Sequence, residues 1–198
     1  MFKLCKTEQS AARQREIELE FQKMLLEMPF DEVSISALCE RMNMSRKAFY
    51  RYFDDKDSLM QGLVQHTLLE FVDFGSRYTE GGAPRTLHGD LEQFFIFWEH
   101  RRAFLDALER SKFTGLLLEA SLSFSVSDMI NPRKFLPGDT DWMRTQVFFF
   151  AICGLMSSML EWYRRGFAES TREMASVAVR MLSQPLFPAL SELGIVKE

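Results

Sequence analysis

The strongest constraint on the fold is a run of helix-starting and helix-ending residues in the first third of the chain. Residues 11–28 place apolar side chains at steps of three and four with charges between them, which predicts an amphipathic helix. Pro29 ends that helix, because proline supplies no amide hydrogen and clashes with the preceding turn. Ser34 and Ser45 follow as favourable N-caps, since a serine hydroxyl accepts a hydrogen bond from a free amide of the first helical turn.

The two capped helices are predicted at Ile35–Met42 and Arg46–Tyr52. Asn43 stands in the turn between them, where a left-handed residue would close the first helix and where asparagine is tolerated. Two short helices joined in this way after a longer one form a helix-turn-helix unit. Phe49 and Phe53 are expected in its core. The helix crossing requires small side chains, and the sequence supplies Ala37, Cys39 and Ala48.

The rest of the chain carries helical periodicity and no alternating segment of convincing length. Its clearest break is the stretch Gly81-Gly82-Ala83-Pro84. Further helices are predicted at Lys56–Tyr78, Leu87–Glu99, Arg101–Arg110, Phe113–Ser127, Asp141–Arg165, and from the capping box Ser170-x-x-Glu173 to Pro185. The expected fold is all-α, an N-terminal helix-turn-helix domain followed by a C-terminal helical domain, with about nine helices in total.

Charge is unevenly distributed along the chain. The whole chain carries a net charge of −4, but the window Arg41–Lys56 carries +3 and the remainder −7. Such a window matters because binding depends on local charge, although an isolated basic face is more often simply solvated. The outward face of the second short helix offers donors suited to phosphates and base edges in the major groove, namely Arg46, Lys47, Tyr50, Arg51 and Tyr52.

The segment Met44–Leu59 closely resembles the recognition helix and following turn of TetR/AcrR-family regulators, and Phe30–Ile35 resembles the entry to the family's second helix. The resemblance covers roughly residues 11–64. It implies that the DNA backbone is held by Ser34, Ser45, Tyr50 and Lys56. It implies that bases or nearby phosphates are faced by Arg46, Lys47, Ala48, Arg51 and Tyr52. Lys47 departs from the family, in which glycine is frequent at this position, and adds charge at the groove.

The resemblance also implies a DNA-binding domain at residues 1–55 and a helical effector-binding and dimerisation domain at residues 56–198. The family pattern is a homodimer with a four-helix bundle at its centre, in which two recognition helices about 34–36 Å apart reach successive major grooves of a palindrome. The interface is predicted at Ala151, Gly154, Ser158, Trp162, Ala175, Ala178, Val179 and Leu182. The alternative is that these residues face the core of their own chain.

The aromatic residues indicate either a cavity or a Phe-rich core. The chain has 19 Phe, and those in its middle cannot all lie on one narrow helical stripe. The resemblance favours a pocket for a small, largely apolar effector. Its predicted lining is Phe94, Trp98, Phe113, Leu117, Phe124 and Phe148. An effector that binds one conformation better than the other would change the affinity for DNA. Repression relieved by the effector is the leading prediction, with activation and a ligand-free role as the alternatives.

Enzymatic, metal-binding and membrane functions find little support in the sequence. No CxxC pair, Gly-rich phosphate loop, HExxH or GxSxG motif occurs, so neither a catalytic site nor a metal site is expected, and no cofactor. The longest uncharged run, Thr145–Leu160, falls short of a membrane span and predicts a buried helix. A cytoplasmic protein with no membrane partner is expected.

A second class of function also fits the sequence. The chain would then be a helical interaction protein, or a ligand-independent DNA-binding protein, that acts mainly through a protein partner. Its apolar centre would be solid core. A filled core would weaken the effector hypothesis without affecting the DNA-binding one.

Overall fold

In the computed structural model, residues 7–80, 86–126 and 140–183 are described, with side chains described as far as residue 77 in the first range and residue 123 in the second. These residues form nine α-helices and no strand. The helices are α1 (Glu8–Glu27), α2 (Ile35–Arg41), α3 (Arg46–Phe49), α4 (Lys56–Glu80), α5 (Leu87–Glu99), α6 (Arg102–Arg110), α7 (Thr114–Val126), α8 (Asp141–Arg164) and α9 (Thr171–Ser183). A 3-10 turn, Phe30–Glu32, connects α1 to α2. The predicted all-α fold is confirmed.

Helix α3 is shorter than the sequence predicts. The helix expected at Arg46–Tyr52 is α-helical only over Arg46–Phe49. Beyond it the amides of Arg51 and Tyr52 donate to carbonyls three residues back, at 3.3 and 2.9 Å, so the chain tightens into a narrower turn. Periodicity could not show this, because the same residues keep nearly the same faces in both conformations.

The first compact unit comprises residues 1–72 and 101–131. Helix α1 packs against α6 and also contacts α2. Its buried apolar face consists of Ile17, Phe21, Met24 and Leu25. Burial of each of these side chains stabilises the fold by about 1.5–3 kcal/mol. Helix α1 is therefore a stable packing surface for the two short helices beside it.

A polar network crosses the first unit from α1 to α4. The carboxylate of Glu18 is fully buried and accepts from His66 Nδ1 at 2.7 Å and from an Arg15 guanidinium nitrogen at 2.9 Å. Glu70 extends the network, because it pairs with Arg15 at 2.8 Å and with Arg101 at 2.7 Å. The buried charge of Glu18 is therefore compensated by two partners, as a charge withdrawn from water must be.

The second compact unit comprises residues 73–100 and 132–198. Helix α5 packs chiefly against α9 and also against α8. Phe95 of α5 is fully buried and meets the Trp162 ring edge-on, with 5.4 Å between ring centroids. By packing, the chain thus divides within α4, and the first unit includes α6 and α7. The functional division at residue 55 stays a prediction.

Helix α8 differs from the expected buried helix. Four side chains in its C-terminal half are buried, whereas Trp142 and Phe150 nearer its start are 69% and 66% exposed. By length and composition, Asp141–Arg164 is long and apolar enough to cross a membrane. The expectation that this helix is buried is wrong for its first half, and a helix of this length and composition does not by itself show a membrane span. Only 11% of the apolar window is buried in the chain's own fold.

Candidate nucleic-acid interface

Both predicted helix caps are confirmed at the start of the helix-turn-helix. The Ser34 hydroxyl accepts from the Ala37 amide at 3.1 Å, and the Ser45 hydroxyl accepts from the Ala48 amide at 3.2 Å. Asn43 adopts the predicted left-handed conformation, with φ of 46°. This single residue turns the chain from α2 into α3, because few residues other than glycine and asparagine tolerate that backbone conformation.

The inner side of the two helices is tightly filled. Phe49 and Phe53 are fully buried, as predicted, with ring centroids 5.6 Å apart. Leu38 and Cys39 of α2 are buried as well. Burial raises the pKa of the Cys39 thiol, against a smaller opposing effect of the Arg46 charge. The thiol is therefore neutral at physiological pH and serves as a small apolar residue in the core.

The outward side of α3 and the turn after it carries exposed cations. Arg46, Lys47 and Arg51 are all exposed. Arg46 donates from Nη2 to the Tyr50 hydroxyl at 3.3 Å, and its guanidinium lies 6.0 Å from the centroid of the Tyr50 ring. That hydrogen bond raises the pKa of the Arg46 guanidinium. Arg51 lies 6.0 Å from the ring centroid of Tyr52. The guanidinium groups of Arg46 and Arg51 thus each lie near a tyrosine ring and remain positively charged.

Lys56 was expected to contact the DNA backbone, and the structure gives its ammonium other partners. The Nζ donates to the carbonyls of Phe30 at 2.5 Å, Val33 at 3.1 Å and Asp31 at 3.4 Å. It also lies 4.2 Å from the centroid of the Phe30 ring. Lys56 therefore stabilises the turn before α2, and a phosphate would compete with these carbonyls for its hydrogens.

Arg41 also belongs to the basic window but is neutralised within the fold. Its guanidinium forms a bidentate ion pair with Glu27, in which Nη1 lies 2.9 Å from Oε1. The same Nη1 lies 3.8 Å from Oε1 of Glu20. The hydrogen bond from Arg41 lowers the pKa of Glu27. Sequence reasoning missed this pair because residues 14 positions apart give no periodic signal. Within residues 41–56 the cationic face consists of Arg46, Lys47 and Arg51.

The other two residues predicted to face DNA, Ala48 and Tyr52, are both half-buried. Ala48 belongs to α3 and uses its amide in the cap of Ser45. Tyr52 lies in the tightened turn that follows. Their contacts with DNA stay predictions. Within the described chain, both residues help to hold α3 in position.

The six residues predicted to line an effector pocket are divided between the two compact units. Phe94, Trp98 and Phe148 belong to the second unit, whereas Phe113 and Leu117 belong to the first. The side chain of Phe124 lies outside the described residues. Trp98 and Leu117 are fully buried, and Phe94 nearly so. Two described cavities of about 240 and 440 Å³ lie along α8 and α9, and none of the six lines them.

The eight residues predicted at a dimer interface divide into two groups. Trp162, Ala175 and Ala178 are buried within their own chain, and Trp162 donates its Nε1 hydrogen to the Glu169 carbonyl at 2.9 Å. Burial of Trp162 and Ala175 agrees with the alternative of a core position, whereas Ala178 also lines the cavity of about 240 Å³ between α8 and α9. Their contacts with a second copy stay predictions. The others are half-buried or exposed along α8 and α9: Ala151, Gly154, Ser158, Val179 and Leu182.

No group of three or more His, Cys, Asp or Glu among the described residues could hold a metal ion. His88 of α5 meets Glu92 of the same helix at 3.8 Å and Ser176 of α9 at 3.0 Å. The Ser176 hydroxyl also donates to the Arg172 carbonyl at 2.9 Å, as serines within helices often do. The hydrogen bond between His88 and Ser176 thus connects α5 to α9.

Comparison with known proteins agrees with this geometry. The model of the tetR family of bacterial regulatory proteins matches residues 23–63, which span the end of α1, both short helices and the start of α4. The dihydroxyacetone kinase operon activator DhaS has a similar fold, with a TM-score of 0.59 and 16% identity over 93% of this chain and 98% of that one. The fatty acid degradation regulator FadR from Bacillus halodurans has a TM-score of 0.58 and 15% identity over 88% and 96%. A comparison with curated proteins gives no match.

A capped helix-turn-helix with a filled inner side and a cationic outer side defines a DNA-binding protein of the helix-turn-helix class. The chain is a DNA-binding transcriptional regulator, in which residues 23–63 match the DNA-binding domain of the TetR family. The two solved structures, at these low identities, establish a shared fold.

Proposed function

We propose that the chain is a homodimeric, cytoplasmic repressor that binds a palindromic operator through Arg46, Lys47 and Arg51 and is released by a small, largely apolar effector. The observation that carries the proposal is that caps and core packing hold in place the helix and turn that bear these cations. Two serine caps and two fully buried phenylalanines fix α3, while the cations stay exposed on its outer side. A fixed helix lets side chains discriminate base edges, because base contacts need defined positions.

The dimer is supported by an unpartnered apolar face of α8 and α9. Phe150, Val177 and Met181 are exposed although apolar. Phe150 and Met181 line a groove of about 240 Å³ together with Ala151, Gly154 and Ser158, and Val177 lines the adjoining cavity of about 440 Å³. A Cβ added at Gly154 would meet nothing within 4 Å, so a second helix has room to approach there. Exposed apolar surface of this kind marks an interaction site, and a second copy of the chain is the occupant proposed.

The effector hypothesis is supported by the long helix α4. This helix runs from Lys56, which stabilises the turn before α2, into the second compact unit. A ligand that favours one position of α4 would change the helix-turn-helix. Weakening DNA binding tenfold to a hundredfold requires about 1.4–2.7 kcal/mol of differential affinity. FadR, which shares the fold, is a regulator of fatty acid degradation, and this suits an apolar effector class.

Two observations favour variants of this proposal. Trp98 and Leu117 are fully buried, as expected for a solid core and a ligand-independent regulator that acts through a protein partner. DhaS is an operon activator, so the same fold also serves activation. Reporter transcription from an operator fusion, with and without the purified regulator, distinguishes repression from activation.

The DNA-binding proposal is tested by removing two of the three cations. Arg46→Ala with Lys47→Ala is expected to abolish binding to a duplex selected from random sequence, measured by fluorescence anisotropy. Arg102→Ala with Arg110→Ala is the matched control, since it removes the same charge from exposed positions of α6 and should leave affinity within about threefold. Equal loss in both variants would show that only overall charge matters, and retained affinity in the first would refute the assignment of α3.

A further inference from the structure

The corner between α6 and α7 packs on the turn that precedes the helix-turn-helix. Phe113 stands at this corner, and its ring meets that of Phe30 edge-on, with 4.8 Å between centroids and 62° between planes. Phe30 begins the 3-10 turn and also contacts Phe21 of α1 at 6.2 Å. All three rings belong to the first compact unit. The structure thus gives Phe113 a ring partner beside the DNA-binding helices, where the sequence predicted an effector contact.

The position of Phe113 is fixed by the end of α6. Lys112 adopts a left-handed conformation with φ of 61°, which reverses the chain. The Phe113 amide then donates to the Leu108 carbonyl at 2.9 Å and closes the helix end. Leu105 and Leu108 are fully buried, and α6 packs against α1. The ring of Phe113 is consequently positioned by a hydrogen-bonded helix end on a helix that packs against α1.

Phe30 connects this corner to the starts of helices α2 and α4. The ammonium of Lys56, the first residue of α4, lies 4.2 Å from the centroid of the Phe30 ring. The same ammonium donates to the Val33 carbonyl at 3.1 Å, directly before the Ser34 cap of α2. Moving the Phe30 ring would therefore disturb the start of α4 and the start of α2 together.

We propose that Phe113 is a positioning residue for DNA binding, which acts through Phe30 and Lys56 to hold the N-terminal ends of α2 and α4. The α6–α7 corner then sets the orientation of α3, and anything that displaces the corner lowers operator affinity without touching DNA. The proposal rests on the proposed function for its effect on DNA, but its structural part is measurable without DNA.

Hydrogen exchange of the free protein tests the structural part. Phe113→Ala should accelerate amide exchange over residues 34–42 about threefold to tenfold, the factor expected from loss of one aromatic pair. Phe113→Tyr keeps the ring and should restore protection. Phe167→Ala is the matched control, because Phe167 is also a half-buried phenylalanine, whose ring lies 4.5 Å from that of Trp162 in the second unit. It should leave residues 34–42 unchanged.

Operator affinity tests the functional part by a double-mutant cycle. Phe113→Ala and Phe30→Ala should each weaken binding to the selected duplex about threefold to tenfold, and the double variant should be no weaker than the worse single one. Phe113→Tyr should bind within about twofold of the unchanged chain. A folded Phe113→Ala variant with full affinity, or fully additive losses in the double variant, would overturn the proposal.

The two arms separate the possible failures. If the unchanged chain selects no DNA site, the proposed function fails, and hydrogen exchange alone then decides the role of Phe113. If exchange over residues 34–42 does not respond to Phe113→Ala, the positioning role is wrong whatever the DNA result. If Phe113→Tyr behaves like Phe113→Ala in both arms, the ring contact with Phe30 is not the cause.

Discussion

Replacing Glu18 by glutamine should destabilise the fold far more than the same change two residues earlier. Glu18 is the acidic centre of the polar network on α1, fully buried and paired with His66 and Arg15. Glu18→Gln keeps the shape of the side chain but removes its charge. His66 and Arg15 then still direct hydrogen-bond donors at this side chain, which no longer offers a carboxylate to accept them.

The size of the effect follows from the exposure of the two partners. Removing one member of a buried ion pair costs about 3–5 kcal/mol when the remaining charge is sealed from water. Here His66 and Arg15 keep about a quarter of their surface in water, and Arg15 retains Glu70 at 2.8 Å. The expected loss is therefore about 2 kcal/mol, which lowers the melting temperature by about 4–8 °C in a chain of this length.

The assay is thermal unfolding followed by circular dichroism at pH 7 and one protein concentration. Glu16→Gln is the matched control, because Glu16 lies on the same helix, is 58% exposed and pairs with Arg13 three residues earlier. An exposed pair of this kind contributes at most about 0.5 kcal/mol, so the control should melt within about 2 °C of the unchanged chain. Equal melting temperatures for the two variants would refute the role given to the network.

Four further outcomes are expected. Ser45→Ala removes a helix cap and should cost about 1 kcal/mol in urea unfolding, whereas Ser36→Ala, an exposed position inside α2, should be nearly neutral. Asn43→Gly should raise the urea midpoint and Asn43→Val should lower it, because a β-branched residue is strained at φ of 46°; the opposite order would contradict the left-handed turn. The pKa of Glu27 is lowered in the fold by Arg41, so its contribution to stability is present above the ordinary value of 4.5 and is lost as the pH falls through the lower folded value. The melting temperatures of the unchanged chain and Glu27→Gln should accordingly differ at pH 7 and converge in acid; a gap that persists in acid would exclude the ion pair as its source. Gly154→Leu should produce a monomer in sedimentation equilibrium, since the added side chain has room in the single chain but fills the groove offered to a second copy. Gly115→Leu, at an equally open helical glycine of the first unit, should not change the molecular mass.

Features encoded by neighbouring residues could be predicted from the sequence. The caps at Ser34 and Ser45, the left-handed Asn43 and the capping box at Ser170 all depend on hydrogen bonds that span three or four residues. Such bonds are local, so residue type and spacing suffice to place them. The nine helices of the described ranges follow from the same local information.

Features formed by distant residues could not be predicted in this way. Lys56 meets carbonyls more than 20 positions earlier, and Phe113 meets Phe30, which lies 83 positions earlier in the sequence. Trp162 was predicted at the dimer interface, but Phe95 and Phe167 pack on its ring within its own chain. Periodicity identifies the buried face of a helix without identifying what covers it.

The central claim is most directly tested by selecting bound sequences from random duplex DNA with the purified protein at two salt concentrations. A sequence-specific dimer should enrich one palindrome, with half-sites one helical turn apart, and its binding should weaken as salt rises because exposed cations displace counterions from phosphates. Retention without sequence enrichment, or enrichment of a single half-site bound by one chain, would contradict a sequence-specific dimer.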